Sequence, residues 1–477
     1  MAGRWCVAAA LIVSGLTAVA QGATPAHGVS FVVNSTADAV DASAGDGACA
    51  DTTGACTLRA AVLEANALPG ADAVSVPAGT YRLTIPGGIN PYPSGAVGAI
   101  SITDHLSISG AGPGATIIDG GNYEGGVMVK MNPVFYVTGI SPAGQAPTVD
   151  IQGLTVQGGL ANLSGGGILN SGNLTIRNML IRDNQASQFG GGGISNDGQL
   201  TVIDSVIFSN GAQTGGGISN YGSMTVTNTT ISENTGVDHG GGVYSWGSAT
   251  LINVTVQGNG SKEAGGIGGG TNVAIKNTIV SDNGIISNCV SPLTSLGHNI
   301  SSDASCGLSG PGDMNSVDPL LGPLADNGGP TQTQALSEGS PAIDTGDNEG
   351  CPPTDQRGVA RPQNRICDIG AYEYVPPVTP SPPPAVITAS PSPAPTAVPD
   401  SPTPTLMPSP SAKSTPSRTP RPSRTPPSAR SEFANDDDSG RGGLILPLML
   451  GGFAAAALSG GGAYYLWRRR ANGQTAA

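Results

Sequence analysis

Asp183, Glu233 and Asp282 each stand immediately before an asparagine, at one fixed place in a repeated unit. Hydrolysis of a glycosidic bond needs two carboxylates facing one groove at ~5–10 Å, one of them to protonate the leaving oxygen. Ser209 and Gly258 fill the same place in the intervening units. Acids two units apart would therefore lie ~9.6 Å from each other if the units stack at strand spacing. Proton removal beside a uronate carboxyl is the other chemistry open to such a chain. It calls for an Arg or Lys base, usually with calcium held by clustered carboxylates. The repeats offer Arg177, Arg182, Lys262 and Lys276 as bases. Calcium enters only on that reading, and no other cofactor is expected. A third group, Gln188 and Phe189, Asp238 and His239, Lys262 and Glu263, sits where the repeats vary in length. Loops that absorb insertions on a rigid scaffold often carry function, so these six form the candidate binding patch.

A repeat positions all of them. Asn184, Asn210, Asn234, Asn259 and Asn283 are 26, 24, 25 and 24 residues apart. Three residues before each lies Ile181, Ile207, Ile231, Val256 or Val280; eight before, Ile176, Val202, Val226, Leu251 or Ile275. Ten before lies Leu174, Leu200, Met224, Ala249 or Val273; sixteen before, Ile168, Ile194, Ile218, Val243 or Ile267. Four aliphatic columns at fixed offsets predict four inward-facing columns of a solenoid whose coils pair in parallel. Thr175, Thr201, Thr225 and Thr250 fall between two of them and should point outward. Asparagines also align six and fourteen places before the ladder, as Asn178, Asn228, Asn253 and Asn277, and as Asn170, Asn196 and Asn220. Stacked amides can satisfy one another at the corners. Gly172, Gly198, Gly222 and Gly247, twelve before, suit a tight turn with positive φ.

The ends of the chain differ in composition. Arg4, an apolar run over residues 7–20 and the small residues Ala18-Val19-Ala20 read as a secretory signal at 1–20. Export makes Cys49, Cys56, Cys289, Cys306, Cys351 and Cys367 a disulfide set. Six cysteines allow 15 pairings, and proximity favours Cys49–Cys56, Cys289–Cys306 and Cys351–Cys367. No CxxC pair occurs and histidines number four, which argues against structural zinc. Residues 21–375 hold 28 acidic and 10 basic side chains, a net of −18. That balance disfavours nucleic acid and would repel polyanionic glycans unless a metal intervened.

Residues 56–66, Cys-Thr-Leu-Arg-Ala-Ala-Val-Leu-Glu-Ala-Asn, carry Leu58, Ala61, Val62 and Ala65 at helical spacing. A short helix there could plug the first coil. This segment resembles the CSLREA motif of bacterial surface proteins, with Ala60 where that motif has Glu. Asp355-Gln356-Arg357-Gly358, Arg361-Pro362 and Asp368-Ile369-Gly370-Ala371-Tyr372-Glu373 resemble the closing region of the choice-of-anchor Q group. The repeats between resemble right-handed parallel β-helix proteins of the pectate-lyase-like superfamily. The resemblance implies a right-handed coil and a superfamily that includes polysaccharide lyases and hydrolases.

The expected architecture is all-β: a right-handed parallel β-helix solenoid with an N-terminal helical cap, a disulfide-containing C-terminal cap and one C-terminal transmembrane helix. The divisions are a signal peptide at 1–20, the first cap at 29–72, the β-helix at 73–285 and the second cap at 286–374. A Pro/Ser/Thr-rich stalk at 375–442, a transmembrane helix at 443–467 and a cytoplasmic tail at 468–477 follow. Tyr464, Tyr465 and Trp467 followed by Arg468-Arg469-Arg470 set the orientation, with the head outside. The expected localisation is the cell surface, anchored to a bacterial membrane by that single span. Adhesion or binding of an extracellular glycan or other ligand is the leading functional expectation. A polysaccharide lyase or glycoside hydrolase and a structural surface-layer component are the alternatives. Ligand identity and oligomeric state are not legible.

Overall fold

The computed structural model describes residues 28–377, apart from 88–96, 122, 125–126, 129–131, 142–143 and 271. The signal at 1–20, the stalk beyond residue 377, the span at 443–467 and the tail at 468–477 lie outside the described residues. Among the described residues no helix is long and apolar enough to cross a membrane.

Alternation of aliphatic and polar residues makes each coil a sequence of short strands, and the strands stack into three long parallel sheets. The first has ten strands, from Ser30–Val32 through Asn173–Arg177 and Ser248–Ile252 to Thr294–Ser295. The second, also of ten, runs from Gly79–Arg82 to Met314–Asn315, and the third, of seven, from Ile100–Ile102 to Ile267–Gly269. A four-stranded sheet of loop segments runs from Leu160–Ala161 to Thr235–His239. This is a parallel β-helix. Leu174, Leu200, Met224, Ala249 and Val273 pair in register, as do Ile168, Ile194, Ile218, Val243 and Ile267. The columns headed by Ile176 and Ile181 do the same, and all four are buried in one continuous core.

The corners are closed by amides. Asn184 Nδ2 donates to Asn210 Oδ1 at 3.0 Å, Asn210 to Asn234 at 3.0 Å, Asn234 to Asn259 at 2.9 Å and Asn259 to Asn283 at 2.9 Å. Each of these oxygens also accepts the backbone N–H of the preceding asparagine, so buried donors and acceptors are satisfied together. A second ladder joins Asn170, Asn196 and Asn220 at 2.7 Å per step and ends on Ser245 Oγ. Gly172, Gly198, Gly222 and Gly247 do not adopt positive φ. They are glycine because a Cβ would strike the neighbouring coil: at Gly198 it would lie 2.1 Å from Gly172 O, and at Gly222 2.0 Å from Gly198 O. Left-handed backbone sits instead at Asn178, Asp204, Asn228, Asn253 and Asn277, residue types that tolerate it.

At the N-terminal end the helix Leu58–Ala67 starts on Thr57, whose Oγ1 accepts from Ala60 N. Its buried Leu58, Ala61, Val62 and Ala65 cover the first coil. Arg59 is buried against Asp38 at 2.6 Å, and Glu64 accepts backbone N–H groups from Gly45 and Gly47. Disulfides join Cys49–Cys56, Cys289–Cys306 and Cys351–Cys367.

Residues 286–374 divide in two. The part to Asn315 adds the short strands Thr294–Ser295, Ile300–Ser301 and Met314–Asn315 to the end of the stack. The remainder forms an antiparallel hairpin, Leu321–Ala325 with Thr333–Leu336, and then runs back along the flank as a strap. Asn228 Nδ2 donates to Thr354 O at 2.7 Å, Asn253 Nδ2 to Asp368 O at 3.1 Å and Asn277 Nδ2 to Asp347 O at 2.9 Å. The strap is knotted by buried charge. Arg361 pairs with Glu373 at 3.0 Å, Arg357 with Asp355 at 2.7 Å, and the Arg357 guanidinium lies 3.5 Å from the Tyr372 ring centre. Asp368 accepts from Asp344 N and Tyr374 N, while burial pushes its carboxyl up to about 7.

Candidate functional site

The loops that vary in length meet along one edge. Gln213 N donates to Phe189 O at 3.0 Å, Gln213 Nε2 donates to Asp238 Oδ2, and Lys262 Nζ lies 3.3 Å from Asp238 Oδ1. Phe189, Gln213, Asp238 and Lys262 thus form a column over four successive coils. Gln188 Nε2 reaches back to Asn162 Oδ1 at 3.1 Å. The Gln213 amide, with Lys262 beyond it, holds the Asp238 carboxyl below its ordinary range. His239 Nδ1 is 2.9 Å from Glu263 Oε2. The structure therefore brings the six patch residues to one edge.

Beside that edge the same coil presents aromatic rings. The His239 and Tyr244 rings are stacked at 6.1 Å, and Tyr244 meets Trp246 edge-on at 6.2 Å. Trp246 Nε1 donates to the Tyr244 hydroxyl. Trp246 is 60% exposed, and Tyr221, one coil earlier, is 45% exposed. Large apolar rings with a polar atom at one edge suit ligands that are half apolar and half wet.

The next coil carries Gly268-Gly269-Gly270 where this one carries Tyr244-Ser245-Trp246. Beyond it, Val290 N donates to Ile267 O and Ser291 Oγ to Gly269 O. Val290 is 42% exposed. The result is a step without side chains, one coil wide, between an aromatic wall and Val290-Ser291. Gly268 must be glycine, since a Cβ would lie 2.9 Å from Gly240 N. Gly269 has φ +110° and would put a Cβ 2.1 Å from Ser245 O. Gly270 has neither reason: a Cβ there meets nothing closer than Ser245 O at 3.8 Å and Trp246 Cε3 at 3.9 Å. Its missing side chain leaves the indole edge open.

No family model matches the chain, and no curated protein matches it. Two solved structures are similar to it. A crystal structure of pectate lyase Pel9A is 16% identical, covering 73% of this chain and 97% of that one, with a TM-score of 0.34. The A-module of the Azotobacter vinelandii mannuronan C-5 epimerase AlgE4 is 17% identical, covering 56% of this chain and 82% of that one, with a TM-score of 0.28. The parallel β-helix assignment rests on the strand registers, and the site on its own geometry.

Asp183, Glu233 and Asp282 lie in a different place. They occupy the exposed turn before the ladder asparagine, with φ of 54°, 54° and 52°, in a column completed by Ser209 and Gly258. Asp282 accepts from Ser281 Oγ at 2.9 Å, and Asp183 stands 3.8 Å from Arg182. The position requires left-handed backbone, which Asp183, Gly258 and Asp282 tolerate and which Ser209 and Glu233 adopt without that tolerance. The bases of the coils are engaged: Arg177 with Asp150 at 3.2 Å, Arg182 with Gln157 at 2.8 Å, Lys276 with Asp347 at 2.9 Å. Among the described residues no group of three His, Cys, Asp or Glu side chains could hold a metal ion.

The residues missed from the sequence are Tyr244, Trp246, Tyr221, Gly270 and Val290. A signal existed. Thirteen places before the ladder the coils read Ser171, Asp197, Tyr221, Trp246 and Gly270. Trp246 is also the one tryptophan between residues 21 and 375 of a chain with 4% aromatics.

Proposed function

We propose that this chain is an exported carbohydrate-binding protein and that a glycan strand lies in the step between Trp246 and Val290. The observation that carries the reading is the ring series of half-buried His239 and Tyr244 leading to exposed Trp246, set against the side-chain-free Gly270. Sugar rings present an apolar C–H face that packs on indole and phenol, while their hydroxyls need donors and acceptors at the rim. Asp238, Glu263, Lys262 and Gln213 supply those groups. Export is supported by the signal-like residues 1–20 and by the three disulfides, which persist in oxidising compartments. The apolar run at 443–467 with its trailing arginines supports display at a membrane surface, with the Pro/Ser/Thr tract as a spacer. Pull-down of the full chain on insoluble polysaccharides tests the reading. Retention that is lost in Trp246→Ala supports it, and retention on none of a broad panel refutes it.

One observation favours an enzyme as the second reading. A carboxylate-paired imidazole, His239 with Glu263, stands beside the Tyr244 phenol, and such a group can move protons. On that reading His239 and Tyr244 would act on a bound polysaccharide. New reducing ends or unsaturated products that vanish in Tyr244→Phe would establish it.

A further inference from the structure

We infer that the step selects uncharged glycans over uronate polymers, an inference that rests on the carbohydrate reading above. Lys262 is the cation that the loop edge presents, and it is occupied by Asp238 at 3.3 Å. Glu263 belongs to the coil that forms the floor of the step, and its side chain is 59% exposed beside His239. His239 in turn stacks on Tyr244, which pairs in register with Gly268. A carboxylated sugar on the floor would thus meet a like charge at one end, and the loop cation beside it, Lys262, already faces Asp238. The walls add to the discrimination. Trp246 and Tyr244 on one side and Val290 on the other offer apolar surface, against which a carboxylate loses hydration and gains no partner. The walls belong to coils two steps apart, ~9.6 Å between backbones, which fits one unbranched strand lying along the coil. Gly270 has no steric or torsional need to be glycine, so its bareness is explained by what must pass over it.

Isothermal titration of the full chain with chitin hexasaccharide, cellohexaose and hexagalacturonate reads the inference directly. The uncharged hexamers are expected to bind, with hexagalacturonate weaker on the order of tenfold, and Glu263→Gln should narrow that gap. Gly270→Val, whose Cβ would meet nothing closer than Ser245 O at 3.8 Å, should abolish binding while leaving the melting temperature unchanged. Hexagalacturonate binding as tightly as the uncharged hexamers overturns charge selection and leaves the carbohydrate reading standing. Binding of none of the three overturns both. Full binding by Gly270→Val places the ligand elsewhere and overturns the step as its site.

Discussion

At the scale of single residues, the site and the scaffold use their side chains in opposite ways. Trp246 is exposed and gives its ring to solvent, whereas Asn234 is fully buried and gives every polar atom to the ladder. Trp246→Ala is expected to leave the fold intact and to cost about 2 kcal/mol of glycan binding, roughly thirtyfold in Kd. Titration with the hexamer that binds checks it. Asn234→Ala should leave Asn210 N without its acceptor, take the ladder partner from Asn210 Nδ2, and remove one donor each from Asn259 Oδ1 and Ile207 O. Orphaned buried groups of this kind cost ~1–3 kcal/mol each, so urea unfolding should show a loss of several. A cost near zero would mean the ladder is ornament. The asparagine ladder was legible because its spacing is regular and its chemistry is the same in every coil. The aromatic wall was not, because Tyr244 and Trp246 occur in one coil and so break the repeat that made the rest readable. The acids before the ladder drew attention by residue type, but Asp183 and Asp282 suit the left-handed backbone of their turn, and Glu233 shares that conformation without such a reason.

At the scale of elements, two glycines with the same name have different work. Gly222 lies where a Cβ would be 2.0 Å from the coil below, so Gly222→Ala must push the first sheet apart. A loss of more than about 2 kcal/mol is expected, against a change within about 0.5 kcal/mol for Gly270→Ala. Thermal melts of the two variants compare them, and equal losses would contradict the assignment. Sequence spacing placed Gly222 at a turn and assigned its column to positive φ, and it did not single out Gly270. Close approach between stacked coils depends on neighbours about 25 residues away, which a local reading of turn chemistry does not weigh. The strap shows the same limit. Its Asp355, Arg357, Arg361, Asp368 and Glu373 were visible as a motif, yet their pairing with one another and with the flank of coils carrying Asn228, Asn253 and Asn277 is a long-range fact.

At the scale of the whole molecule, charge and burial set the response to pH. Burial raises the carboxyls of Asp72, Asp204 and Asp368, the last from 3.8 to about 7. A carboxyl raised in the folded state holds its proton more tightly there than when unfolded. Its stabilising contribution is therefore complete below the unfolded value near 3.8 and is lost as pH rises through about 7. Repulsion within residues 21–375, of net charge −18, acts in the same direction. The lowered group of carboxyls, including Asp51, Asp238 and Asp347, loses its contribution only in more acid solution. The melting temperature should thus fall between about pH 4 and pH 7, and Asp368→Asn should flatten that slope. A melting temperature that climbs over this window would contradict the burial of these acids. The period, the four aliphatic columns and the corner amides made the solenoid readable over the five regular coils, whereas the stacked strands Ser30–Val32, Thr294–Ser295, Ile300–Ser301 and Met314–Asn315 lie in segments read as caps. Which flank the strap covers, and which it leaves bare for Trp246, became visible only with the coils stacked.

The most direct measurement is a crystal structure of the protein with a bound uncharged hexasaccharide. A sugar ring packed on Trp246 and passing over Gly270, with hydroxyls toward Glu263 or Asp238, is the expected result. A sugar seated instead along the turn of Asp183, Glu233 and Asp282, or beneath the strap, would contradict it.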